Sequence, residues 1–96
     1  METSNRLKIL NVLGGSREGG AEKFFERISL AFSKEKNVDL ELIIRKNSNR
    51  YKRLNSEIKK IHQINFFYFF NPFCHNKINE IYEKFKPDIV LSWMNR

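Results

Sequence analysis

The stretch NVLGGSREGGAEKFFERI, residues 11–28, joins the end of an apolar run to two glycine pairs and then to a helical pattern. Gly14-Gly15 and Gly19-Gly20 bracket a short polar insert. Upstream, LKILNVL at residues 7–13 is nearly all apolar, as strands buried on both faces of a parallel sheet are. Downstream, Ala21, Phe24, Phe25, Ile28, Ala31 and Phe32 keep the i, i+3, i+4, i+7 spacing and predict a helix over residues 21–34. Glu22 in its first turn and Lys34 and Lys36 near its end suit the helix dipole. The stretch reads as strand, sharp turn and helix, the opening of a βαβ unit.

The remainder continues the alternation. VDLELII at residues 38–44 is a second strand. RKNSNRYKRLNSEIKK, residues 45–60, carries seven basic side chains and one acid, with a short helix expected near residues 51–58. Residues 61–67 are expected to form a third strand. In NPFCHNKINEIYEKFKPD, Asn71 can cap a helix and Pro72 suits its first position. Phe73, Ile78, Ile81, Tyr82 and Phe85 supply its apolar stripe, and Pro87 ends it. DIVLSW at residues 88–93 is a fourth strand. The fold class expected is α/β: a Rossmann-like parallel sheet of about four strands with flanking helices.

Bulk properties narrow the function. Ninety-six residues hold one small domain at most, and 41% hydrophobic content sets the chain apart from disordered tails. The net charge of +7 favours an anionic partner or a solvated basic surface. A single cysteine, Cys74, forbids an intrachain disulfide and fits a reducing, cytoplasmic compartment. The longest aromatic run, FFYFF at residues 66–70, is far short of the roughly 20 residues that span a bilayer.

The glycine turn has two readings on its own residues. A strand, a glycine turn and a helix N-terminus present unpaired N–H groups to an anion, and glycine lets a ligand approach the backbone. Equally, such a turn can simply redirect the chain. GGSREGG lacks the G-x-G-x-x-G order of a dinucleotide fingerprint, and GGAE lacks the G-K-[ST] ending of a P-loop.

KILNVLGGSREGGAEKFFERISLAFSK resembles the N-terminus of family 4 glycosyltransferases of the GT-B fold, and Gly19, Gly20, Ala21 and Glu22 match their G-G-x-E loop. KFKPDIVLSWMNR, residues 84–96, is similar to the K-P-D-[IV]-V strand of the same family. The two matches lie at the two ends of the chain with the right elements between them, so the resemblance spans essentially all of it. The resemblance implies a partial N-terminal, acceptor-side Rossmann-like domain over residues 1–96, with the donor-binding C-terminal domain and its E-x7-E motif absent. By that resemblance, a sugar moves from a nucleotide-sugar donor to a glycan or lipid-linked acceptor of the cell envelope. The isolated chain is expected to be inactive, with no catalytic residue of its own. Gly15, Gly19 and Gly20 would let the donor diphosphate approach the loop's backbone amides across the cleft, and Arg17 would add charge. Glu22 would cap the loop or meet an acceptor hydroxyl, and Trp93, Asn95 and Arg96 would reach the cleft rim. No cofactor or metal is implied beyond the nucleotide-sugar substrate. The expected partners are the missing domain or a second chain, and the inner face of the cytoplasmic membrane.

Other features carry less. His62, His75 and Cys74 have neither metal-ligand spacing nor the geometry of a Cys-His dyad, and are read as packed or surface residues. Residues 66–70 with Phe73 are read as core aromatics, with insertion at a membrane interface as the alternative. The basic stretch interleaves only Tyr51 among its cations, so no nucleic-acid partner is expected. The rival to the transferase is a non-enzymatic α/β binding module for an anionic partner such as a membrane surface. The fourth strand is expected to lack an outer neighbour, leaving an edge open to association.

Overall fold

A computed structural model describes residues 6–14, 19–64 and 72–93, the side chains of 72–75 excepted. The element order is β1 (Leu7–Leu13), α1 (Gly20–Ser33), β2 (Val38–Arg45), α2 (Ser48–Asn55), β3 (Ile61–Ile64), α3 (Pro72–Phe85) and β4 (Ile89–Trp93). All strand pairs are parallel and the sheet order is β3-β2-β1-β4. The expected α/β architecture is therefore the observed one. β3 is described only to Ile64, and the rest of its expected span, like Asn71 as a cap, lies outside the described residues.

Alternation along the strands splits the core in two. Leu13, Leu42 and Ile44 pack with Phe25 of α1 and with Leu54 and Ile58 of α2 and its exit. Leu10, Val12, Ile43 and Ile64 pack on the opposite face with Ile81 and Phe85 of α3. β1 and β2 thus contribute to both clusters, which is why both read as nearly continuous apolar runs. Each fully buried aliphatic or aromatic side chain contributes about 1.5–3 kcal/mol.

Helix ends follow from local chemistry. The Asn47 side chain accepts the Arg50 N–H at 3.0 Å and starts α2. Lys86, with φ 52°, takes the left-handed position after α3, where its N–H reaches the Tyr82 carbonyl at 2.8 Å. Pro87 then prevents the helix from resuming.

The buried face of α1 differs from the expected stripe. Glu22, Phe25 and Ser29 are buried, whereas Ala21, Phe24 and Ala31 are exposed. The helix is turned so that Ser29 reaches Asn11 beneath it while Glu22 folds back on the N–H of Gly19, and hydrophobicity alone does not register that gain. Tyr82 likewise leaves the α3 stripe and is 45% exposed. Among the described residues β4 pairs only with β1, and its Ile89 and Val90 are 40% and 47% exposed. An apolar edge of this kind favours association with another strand.

Candidate functional site

The strand order places a crevice. From β1 the chain steps outward through β2 to β3, then returns by α3 to β4 on the other side of β1. α1 and α2 cover one sheet face and α3, which makes that return, covers the other, so β1 and β4 flank the point where the strand order reverses. Ligands of open α/β sheets bind at such a switch point. Gly14 leaves β1 here, and its N–H meets the Trp93 carbonyl at 3.1 Å, keeping the two strands paired up to the lip.

Trp93 ends β4 at this lip, opposite Leu13 in register. Its indole Nε1–H donates to Asn11 Oδ1 at 2.7 Å. Asn11 Nδ2 donates in turn to Ser29 Oγ of α1 at 3.0 Å. Asn11 and Ser29 are completely buried. Indole N–H is only a donor, so it fixes which end of the amide faces Trp93. The buried amide and hydroxyl thereby each have a partner where water cannot reach them. Phe24 stands edge-on to the indole, with centroids 5.5 Å apart and rings at 66°. Since Phe24 is half exposed, the pair forms an aromatic surface at the crevice.

The start of α1 borders that surface. Gly19 precedes the helix and its N–H donates to Glu22 Oε1 at 3.1 Å. Glu22 is 3% exposed. Of the two roles the sequence leaves open for this carboxylate, capping is the one the geometry contains. The effect is electrostatic as well as structural: a buried carboxylate now occupies the helix end that would otherwise attract an anion.

The two glycines separate by function. A Cβ on Gly19 would lie 2.8 Å from Glu22 Oε1, so the cap needs glycine there or must shift. A Cβ on Gly20 meets nothing within 4 Å. Nothing in the described chain requires glycine at Gly20. Of the other expected site residues, Gly15, Arg17, Asn95 and Arg96 lie outside the described residues. The structure brings Gly19, Gly20, Glu22 and Trp93 to the carboxyl end of the sheet.

Asn11 and Ser29 escaped the sequence reading. One signal was available: a single amide interrupts LKILNVL, a strand otherwise rich in residues that favour sheets. Ser29 carried none, since a serine on a helix is ordinarily solvated.

The basic stretch is partly consumed by structure. Glu26 Oε2 accepts from Arg50 Nε at 2.8 Å, and Arg53 binds both oxygens of the same carboxylate at 2.9 and 2.7 Å. The hydrogen bonds from Arg53 hold the Glu26 carboxyl below the usual carboxylate range; burial opposes this, and Arg50 adds to the lowering. Arg50 is completely buried. Two of the seven cations thus tie α2 to α1. Among the described residues no group of three His, Cys, Asp or Glu side chains could hold a metal ion. No described helix is long and apolar enough to cross a membrane.

Comparison with protein-family models, with curated proteins and with solved structures finds no match.

Proposed function

We propose that this chain is the acceptor-side portion of a glycosyltransferase that moves a sugar from a nucleotide-sugar to a glycan or lipid-linked acceptor. The observation that carries this reading is the Trp93 indole, fixed by the buried Asn11 at the β1–β4 crevice beside the glycine turn. Sugars present flat C–H faces that pack on aromatic rings and hydroxyls that bond to backbone groups, and this crevice offers both. Glu22 at the helix end disfavours a phosphate there, which suits an acceptor more than the donor diphosphate. The donor-binding surface, and the transfer itself, belong to a second domain in this reading.

Trp93 is the chain's only tryptophan, so its emission reports the crevice directly. Titration with oligosaccharides should give a saturable change in emission, weakened by Phe24→Ala, while free nucleotide-sugar gives little. Emission that stays constant across a panel of glycans, with the chain folded by circular dichroism, would overturn the proposal.

A further inference from the structure

On the α3 face a second cleft lies at the other side of the sheet, away from β4. Its volume is about 440 Å³ and it opens between α3 and the start of β3. That size falls within the range of small-molecule sites, roughly 300–1,000 Å³. Lys59 and Lys60 line it from the segment leading into β3, and Lys77 and Lys84 from α3. These lysines are far apart in sequence and converge only in the fold. Ile81 supplies apolar lining.

The polar base of the cleft is organised. His62 Nε2 donates to Glu41 Oε1 at 2.8 Å, and Lys60 Nζ lies 3.8 Å from Glu41 Oε2. Glu41 is 8% exposed on the central strand β2. Its carboxylate therefore holds the imidazole by one nitrogen and leaves Nδ1 as the ring's second polar atom. The Lys60 carbonyl accepts the Leu42 N–H at 3.0 Å, so the lysine-bearing segment is fixed to the sheet at that point. Four lysines face two carboxylates, Glu41 and Glu80, and Glu41 is already engaged.

We infer that this cleft binds a small soluble diphosphate-bearing anion between the lysines of α3 and those preceding β3, with His62 at its base. Ammonium groups on two walls match an anion with charge at two centres, whereas a single phosphate would satisfy one wall. Lysine suits the task because its flexible point charge adapts to tetrahedral oxygens. Arg50 and Arg53 of the same basic stretch are engaged by Glu26, whereas its Lys59 and Lys60 line the cleft. The inference is independent of the sugar-binding proposal, since the cleft lies on the opposite sheet face from α1.

Inorganic pyrophosphate titrated into the isotopically labelled full chain tests it by NMR. Amide shifts should concentrate on residues 59–62 and around Lys77 and Lys84. The double variant Lys77→Ala/Lys84→Ala should weaken binding at least tenfold, and His62→Gln, which keeps a donor for Glu41, should weaken it severalfold with a native spectrum. Lys23→Ala/Lys46→Ala, which removes as much charge elsewhere, should change affinity less than twofold. Equal losses in the two double variants would overturn the inference as non-specific charge attraction. So would retention on anionic phospholipid vesicles without a localised response to pyrophosphate.

Discussion

The sheet face carrying α1 and α2 encloses Asn11, Ser29, Glu22 and Arg50 along with its apolar cluster. The opposite face encloses Leu10, Val12, Ile43, Ile64, Ile81 and Phe85, with Glu41 and His62 at the margin. The faces share β1 and β2 yet are stabilised differently. An apolar face gains free energy from area and tolerates small rearrangements. A face with buried polar groups gains little net energy from each pair, but every misplacement leaves a donor or charge without a partner. The first arrangement holds the fold together. The second fixes one geometry, and it supports the crevice where Trp93 stands.

The largest expected effect probes the apolar face. Phe85→Ala should cost about 3–5 kcal/mol in urea unfolding, through lost transfer energy and a residual cavity. Trp93 emission of the remaining folded fraction should be unchanged, because the α3 cluster does not touch the indole network. A shifted emission would show that the faces are coupled.

Next comes the ion pair on the polar face. Glu26→Ala should cost about 3 kcal/mol because it removes the carboxylate from the completely buried Arg50. Glu26→Leu combined with Arg50→Met should recover most of that loss, since well-packed apolar groups can replace a buried pair. Failure to recover would mean that Arg50 has a further essential role. The pH dependence has a defined sign. The folded-state pKa of Glu26 is depressed, so its contribution is whole above the unfolded glutamate value of about 4.3 and is lost as pH falls through the folded value. Acid titration of stability should therefore be shallower in Glu26→Leu/Arg50→Met than in the parent.

A smaller loss, about 2 kcal/mol, is expected for Asn11→Leu, which leaves the Trp93 N–H and the Ser29 hydroxyl to find other partners. Its specific signature is a displaced Trp93 emission maximum. A destabilised variant with native emission would remove Asn11 from the role of positioning the indole.

The smallest effects separate the two glycines. Gly20→Ala should stabilise the chain by up to about 1 kcal/mol, because its Cβ enters open space at a helical position. Gly19→Ala should destabilise it by about 1 kcal/mol, because Glu22 must move and its bond to the Gly19 N–H weakens. Should Gly20→Ala weaken glycan binding while stabilising the fold, open space at Gly20 is a property of the site.

Much of the architecture was legible in the residues. LKILNVL, VDLELII and DIVLSW marked strands because apolar, β-branched runs of that length suit a sheet covered on both sides. Gly19 and Pro87 marked helix limits. The face of α1 was misread because a hydrophobic pattern scores Phe24 as core and Ser29 as surface, whereas Asn11 and Trp93 reverse both assignments. The resemblance named Gly19, Gly20, Glu22 and Trp93, which lie together at the carboxyl end of the sheet, but not the amide that holds the indole.

Local sequence thus determined where the strands and helices run, because periodicity, caps and breakers act over a few residues. It also placed a glycine turn after β1. Only the tertiary structure decided what the charged and polar side chains do. It tied Arg50 and Arg53 to Glu26 and gathered Lys59, Lys60, Lys77 and Lys84 around one cleft. Those outcomes depend on distances between residues tens of positions apart, and a side chain's net charge or hydropathy does not contain them.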